Sequence, residues 1–303
     1  MEVGSTGVSA EAFVEVSIER RLSGVTFLVD DLEMAVASVP DTRELLVFAQ
    51  AGAESPLDLD WVEVRPLLPP SVHCLDVGYG ALLWYPADGD AHDLVKGLHA
   101  SPRNGTSYAR GKVGRSFLLD GVDDVVWVPD SADLAPQDFT LAAWVYPQVL
   151  PAAGRRSALI AKQATGQPAS HGLASFMLAL DDRGRCVVTS WDGVTETETL
   201  SDASLQPGEW YHVTATRHSE AVHLFINGEA VASGSMSSSL LYSSQAGFDL
   251  ELGSFLRLGA REPFSGRLDE VILFDRGLSA AEIQSIVKAG SAGYCRPSEG
   301  EAR

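Results

Sequence analysis

The sequence predicts an all-β chain, a β-sandwich or jelly roll with one short C-terminal helix and a small N-terminal β element ahead of it. Three observations carry this. From Leu82 onward, apolar segments with two-residue alternation recur roughly every 8–15 residues, the spacing of short sandwich strands. Asn227-Gly228 separates two such runs, and this pair supplies the positive φ that a type I′ hairpin turn needs at both positions. Ser279 is followed three residues later by Glu282, a capping box, and Ile283, Ile286 and Val287 share one helical face behind it.

Taken in order, residues 1–11 are polar and acidic and are expected to be disordered. Val14–Glu19, Gly24–Val29, Glu44–Ala49 and Asp60–Val64 then read as four short strands. So small a sheet is marginal alone, so residues 12–68 are expected to dock on the next domain, a second copy or a larger complex. Pro66, Pro69 and Pro70 form a stiff linker. Later strands are expected at Phe117–Leu119, Val125–Val128, Phe139–Val145, Phe176–Leu180, Arg185–Thr189, Tyr211–Thr216, Val222–Ile226, Glu229–Val231 and Leu256–Gly259. Leu268–Phe274 is apolar on both faces and reads as a central strand. At its head Asp269 needs an ion pair, hydrogen bonds or a metal. The expected organisation is a docking segment at 1–70, a jelly roll at 71–296 and a disordered tail at 297–303.

A net charge of −19 over 303 residues opposes nucleic acid and anionic membrane surfaces, and suits divalent cations, neutral glycans or basic partners. No run approaches the ~18 apolar residues that span a bilayer, so no membrane insertion is expected. No signal peptide is visible in residues 1–11. The three cysteines, Cys74, Cys186 and Cys295, have no C-x-x-C spacing, which argues against a zinc cluster.

Several motifs together resemble a laminin G-like jelly roll of the concanavalin A-like lectin/glucanase superfamily. These are Leu83–Asp93, Gly111–Phe117 with Asp120–Asp124 and Val128–Ser131, Phe139–Val145, Gly208–Val213 with the Asn227-Gly228 hairpin, and Leu268–Ser279. The match covers about residues 80–295 and leaves 1–70 unexplained. The resemblance implies two antiparallel sheets, binding or assembly more often than catalysis, and often one structural Ca2+.

In the loop Asp88-Gly89-Asp90-Ala91-His92-Asp93, three carboxylates within six residues suit an oxygen-loving cation. The resemblance implies that Asp269 joins Asp88, Asp90 and Asp93, because that family brings its closing strand beside its first. The alternative is a solvated acidic turn. Asp120, Asp123 and Asp124 read as a turn whose acids cap their own backbone. Cys74 and Cys295 flank the jelly roll, whose ends are expected to emerge together. The resemblance favours a disulfide between them in an oxidising compartment, the alternative being two free thiols.

Glycan recognition needs an exposed aromatic with polar neighbours. Trp191, Asp192 and Tyr242 lie at turns and are the candidates, while Trp144 and Trp210 read as core. No Glu-x-Asp-x-Glu strand, Gly-x-Ser-x-Gly elbow or phosphate-binding loop is found, so no catalysis is expected. His212 reads as structural. The expected function is a non-catalytic module recognising a glycan or protein surface, stabilised by calcium, in an extracellular, surface or virion-associated setting. The second expectation is a structural or decoration subunit of a large assembly, docked through its N-terminal segment. The third is a degenerate glycoside hydrolase.

Overall fold

In the computed structural model the chain divides into two compact units, Met1–Val72 and His73–Arg303. The structure describes residues 74–163, 174–240, 242, 249–257 and 260–296, with the strands of the first unit. The expected disorder at 1–11 and 297–303, and the linker prolines 69 and 70, lie outside the described residues, whereas Pro66, expected in the same linker, is the last residue of a strand that runs Leu59–Pro66.

In the first unit β1 (Val16–Arg21), β2 (Gly24–Val29) and β3 (Leu32–Ala37) form an antiparallel sheet. There, β4 (Leu45–Ala51) and β5 (Leu59–Pro66) form a separate hairpin. Sequence reading found four of these strands. It missed β3, in which Leu32, Met34 and Val36 alternate with Glu33 and Ala35.

The second unit begins with β6 (Ala81–Tyr85), β7 (Ser101–Arg103), β8 (Ser107–Arg110), β9 (Arg115–Asp120), β10 (Val125–Val128), β11 (Phe139–Val149) and β12 (Arg156–Gln163). It continues with β13 (Ala174–Asp181), β14 (Arg185–Trp191), β15 (Glu196–Ser204), β16 (Tyr211–His218), β17 (Ala221–Ile226) and β18 (Glu229–Ser235). It closes with β19 (Leu250–Leu252), β20 (Leu256–Arg257), β21 (Ala260–Arg261), β22 (Ser265–Phe274) and the helix α1 (Ala280–Ala289). One sheet runs β15-β14-β13-β12-β19-β10-β7, the other β18-β17-β16-β11-β22-β9-β8, with β6 also on β22. All these pairings are antiparallel, which makes the unit a two-sheet jelly roll.

Alternate residues of the two sheets meet in one core that includes Phe117, Leu141, Leu178, Val213, Leu268 and Val271. A second cluster forms on the far side of β22, where Trp84, Ile272 and Phe274 receive Ile283 and Ile286 of α1. That is why β22 is apolar on both faces. Burying the two isoleucines contributes about 1.5–3 kcal/mol each. The helix starts where Ser279 and Glu282 cap each other's backbone.

The chain ends of the jelly roll are tied together. Leu75 pairs with Tyr294, its N–H donating to the Gly293 carbonyl at 2.9 Å, and Cys295 N–H donates to Leu75 O at 2.8 Å. A disulfide joins Cys74 and Cys295, whose Cα atoms are 4.6 Å apart. Cys186 is a buried free thiol whose pKa burial pushes up to about 12, as suits an inert apolar filler. Trp144 is in a buried setting, but Trp210 is only half-buried and leans on Tyr146, so its expected core place is corrected. Its strand begins one residue later, at Tyr211, and leaves it in the preceding turn.

Candidate functional site

Two regions gather polar side chains that the packing does not consume. The first lies on β22. Its register against β11 slips between Ala142 and Trp144, and Glu270 takes a φ of 49°. Such a bulge re-aims successive side chains. Leu268 and Val271 stay in the inter-sheet core, while Asp269 and Glu270 both leave it. Asp269 Oδ2 accepts the Val113 amide at 2.8 Å, and Glu270 Oε2 accepts Trp84 Nε1–H at 2.6 Å. Asp269 Oδ1 and Glu270 Oε1 are buried without a hydrogen-bond partner. Burial pushes the Asp269 carboxyl up to about 8 and that of Glu270 up to about 7.

Asp88 reaches the same loop. Its Oδ1 accepts the Arg115 amide at 2.5 Å, and its Oδ2 pairs with the Arg296 guanidinium, which lies 4.0 Å from Glu270 Oε1. Gly114 has a φ of 52°, and a Cβ there would overlap Asp88 Oδ1, so only glycine fits this close approach.

The other two loop acids have different jobs. Asp93 is buried, and its carboxylate accepts the amides of Trp84 (2.8 Å), Val95 (3.0 Å), Lys96 (2.9 Å) and Leu98 (2.9 Å). Its lone pairs are spent on backbone. Asp90 caps the His92 amide at 3.1 Å, pairs with the His92 ring at 3.2 Å and faces solvent. The expected four-acid set is therefore not assembled. Asp88 and Asp269 meet at the 111–115 loop with Glu270, a residue that sequence reading passed over because its left-handed conformation is invisible there.

Among the described residues, the three carboxylates that approach one another within 4.8 Å are those of Asp120, Asp123 and Asp124. Asp124 Oδ2 accepts the Asp120 amide at 2.9 Å, and Asp120 Oδ1 accepts that of Val122 at 2.8 Å. The turn is held by its own acids.

The second region is a cleft of ≈ 800 Å³ at one end of the sandwich, lined by Pro136, Gln137, Asp138, Arg217, Ser219, Glu220, Ser238 and Asp275. Arg217 is 1% exposed and donates to the carbonyls of Gln137 and Ser237, while its Nε–H has no acceptor. Asp138 accepts the Ser219 amide at 2.6 Å and faces the His218 ring at 2.9 Å. Glu220 and Asp275 are exposed.

None of the predicted ligand residues lines this cleft, although Tyr242 and Asp192 reach its wall through Pro136 and Ser237. Trp191 is half-buried at the end of β14, and Asp192 Oδ1 holds the turn by accepting the amides of Val194 and Thr195 at 2.7 Å each. These turn amides, with the Ser237 side chain, hold the Asp192 carboxyl below its usual range. Ser237 thus links the hairpin to Arg217. Tyr242 is folded over the sandwich edge, with its hydroxyl donating to Pro136 O at 2.6 Å and its ring 6.4 Å from Phe176. It braces the cleft wall and offers no open platform. Sequence reading missed Asp138, Arg217, Glu220 and Asp275, of which Arg217 lies in β16 and the others in turns, with no shared motif.

His212 is buried, hydrogen-bonded at Nδ1 to Thr214 Oγ1 (3.2 Å) and set edge-on to Trp144, and burial pushes its pKa down to about 3. A neutral, enclosed imidazole of this kind is structural.

A family model described as concanavalin A-like lectin/glucanases superfamily matches residues 120–284. No characterised protein sequence matches the chain. Among solved structures, domain 4 of AbnA, a GH43 extracellular arabinanase from Geobacillus stearothermophilus, in complex with arabinotriose, is similar. The TM-score is 0.54 at 18% identity over 67% of this chain and 96% of that one. The binding domain of Paraclostridial Mosquitocidal Protein 1 (TM-score 0.53, 17% identity) aligns over 69% of this chain and 52% of that one. The receptor-binding domain of a botulinum neurotoxin C/D mosaic serotype (0.52, 16%) aligns over 69% and 51%. The chain spans about half the length of these two toxin domains. At these identities the likeness shows the jelly-roll fold.

Proposed function

From the premise that this chain belongs to the concanavalin A-like lectin/glucanases superfamily, we propose that it is a non-catalytic binding module whose end-of-sandwich cleft takes a glycan. The observation that carries this is the cleft itself, which sets acceptor carboxylates around a buried arginine and is linked through Ser237 to Asp192 of the Trp191 hairpin. Concave sites with few, well-fixed polar groups are the usual form of a ligand site. Two structural neighbours, described respectively as in complex with arabinotriose and as a receptor-binding domain, accord with the reading. The two acids with strongly raised pKa values, Asp269 and Glu270, are buried away from the cleft, which speaks against acid–base catalysis there. The test is a glycan array, in which saturable binding is expected and is weakened by Trp191→Ala. Absence of binding to every glycan sinks the proposal.

Calcium belongs to the same proposal as a stabiliser. Asp88 and Asp269, with Glu270, are the residues that would hold it, and Asp269 Oδ1, buried without a hydrogen-bond partner, supports that reading; the ion would take the place of Arg296, which pairs with Asp88 and lies 4.0 Å from Glu270 Oε1. Bound there, the ion would neutralise buried acids and tie β22 to the 111–115 loop. EDTA should lower the melting temperature of the wild type and barely move that of Asp269→Ala; an unchanged wild-type melt refutes it. The disulfide supports an oxidising, extracellular or surface location.

A second reading, a decoration or fibre subunit, is favoured by the first unit, which is compact in its own right and carries separate strands. Light scattering tests it: a stable oligomer that dissociates on removal of residues 1–70 is the expected result.

A further inference from the structure

We propose that the outer face of the sheet β18-β17-β16-β11-β22-β9-β8, beyond the part that α1 covers, is a second binding surface and takes an acidic saccharide, one that carries carboxylate or sulfate groups. It is separate from the cleft and stands whether or not the cleft holds a glycan.

Strand register builds the surface. Leu141, Ala143 and Val145 of β11 point into the core, so Ala142, Trp144 and Tyr146 point outward. Ile283 and Ile286 of α1 pack with Ala142, Phe225 and Ile272, and Tyr146 lies outside that cluster. Tyr146 is opposite Arg267 of β22, and Arg267 is opposite Leu118 of β9. On the other side Val145 is opposite Tyr211, which puts Trp210 beside Tyr146, their rings 5.4 Å apart and tilted by 53°. One row therefore runs Trp210, Tyr146, Arg267, Leu118, and every member is partly exposed.

The charges name the ligand. The Arg267 guanidinium lies 4.9 Å from the centre of the Tyr146 ring, and Lys112 Nζ lies 4.7 Å from the centre of the Trp144 ring on the same face. The chain has 41 acids against 22 bases, and among the described residues Lys96, Lys162, Arg185 and Arg276 each have a carboxylate partner. Lys112 and Arg267 have none among the described residues and rest on aromatic rings instead. Arg267 Nη1–H donates to the Arg110 carbonyl at 3.2 Å, which steadies the guanidinium and leaves its other donors for a ligand. A carboxylate or sulfate takes such a fork through two parallel hydrogen bonds. The half-exposed Trp210 and Tyr146 rings supply the apolar surface that the C–H groups of a sugar cover. An uncharged sugar laid here strips water from both cations and returns no charge, a cost that an acidic group offsets. The net charge of −19 opposes an anion only at long range, because the screening length at physiological salt is about 8 Å and the two cations are in contact with the ligand.

Backbone geometry keeps the rings in place without the ligand. Gly208 N–H donates to Pro147 O at 2.8 Å and so holds the turn that carries Trp210 against β11. Tyr146 and Arg267 stand on paired strands. The surface is therefore preorganised, and ligand binding does not have to order it.

The experiment titrates the full chain, by calorimetry, with galacturonate oligomers, sulfated galactose oligomers, neutral galactose oligomers of equal length, and sodium sulfate. At least one of the anionic oligomers is expected to bind at least about tenfold tighter than the neutral one, with affinity falling as salt rises, and the tighter of the two assigns the acidic group. Arg267→Gln is expected to weaken that binding about tenfold and to lower its salt dependence, and Trp210→Ala to weaken it about tenfold at unchanged salt dependence. Lys112→Gln, in a loop, is expected to weaken it about threefold and keeps the test readable if Arg267→Gln does not fold. Equal affinity for anionic and neutral oligomers overturns the proposal, and so does the absence of binding to any oligomer. Sodium sulfate binding as tightly as the oligomers, with no effect of Trp210→Ala, reduces the surface to a bare anion site and overturns the saccharide. Oligomer binding that Trp191→Ala removes and Arg267→Gln leaves intact belongs to the cleft; it overturns the outer-face site and leaves the glycan reading of the cleft standing.

Discussion

Replacing Asp93 separates an anchor from a metal ligand. Its two oxygens accept four backbone amides, from Trp84 in β6 and from Val95, Lys96 and Leu98 in the following loop. A hydrogen bond to a charged group contributes about 1.5–3 kcal/mol net, and a buried donor left alone costs about 1–3 kcal/mol. Trp84 is fully enclosed, so its amide should cost the whole amount, whereas water reaches Lys96 and partly reaches Val95 and Leu98. Asp93→Ala should therefore destabilise the jelly roll by about 3–5 kcal/mol. For a domain of this size that lowers the melting temperature by about 8–15 °C. Asp93→Asn keeps one carbonyl oxygen and should lose about half as much. Scanning calorimetry with and without EDTA reads both variants. The anchor reasoning requires the loss in either condition. A melting temperature within about 2 °C of wild type refutes it, and so does a loss that appears only in the presence of calcium.

Further outcomes concern pH and the closure. Burial holds His212 neutral, with a folded pKa of about 3 against an ordinary 6.5, so the unfolded chain takes up the proton first. Its contribution is complete above pH 6.5 and is lost as pH falls toward 3, by about 2 kcal/mol between pH 6.5 and 5. Buried Glu270 works in the opposite sense, so the readout is the difference between wild type and His212→Gln in urea unfolding; matching slopes over that interval count against the reading. Reducing the Cys74–Cys295 disulfide opens a loop spanning 221 residues, which chain entropy values at about 5 kcal/mol. Melting under dithiothreitol should fall by more than about 10 °C, and a change under about 2 °C argues that the paired backbone of Leu75 and Tyr294 holds the ends alone.

Legibility in the sequence followed the number of apolar faces. Strands with one polar face, such as β16 and β17, announced themselves by alternation, and α1 by its capping box. β12 did not, because Ala158 and Ala161 on its outer side pack under Phe255 and leave it little polar face. β15 did not because Glu196-Thr197-Glu198 forms a polar sheet edge, and β7 is the exposed tripeptide Ser-Pro-Arg. The acidic loop was visible as carboxylates, but their roles depend on which donors surround them. Asp93 meets four amides, three of them from the next five residues, whereas Asp88 meets the guanidinium of Arg296 at the far end of the jelly roll, so the two acids look alike in the sequence and differ in the fold. The cleft was the least visible, since residues 138, 217 and 275 converge only through sheet pairing.

The two polar regions share one strand, and that constrains how they behave. β22 carries the Asp269–Glu270 bulge in its middle and delivers Asp275 to the cleft at its end. Loss of a ligand or a salt bridge at the bulge would reach the cleft only if that end frayed. Thr140 prevents this: its hydroxyl donates to Arg276 O at 2.7 Å and accepts the Leu278 amide at 2.8 Å, pinning the turn into α1 from the neighbouring strand β11. Arg276 adds an ion pair to Glu282, whose pKa it draws down to about 2 while that acid also caps the helix. Stability at the bulge and affinity at the cleft should therefore vary independently among variants, and Thr140→Val, which removes the pin, is the substitution expected to couple them.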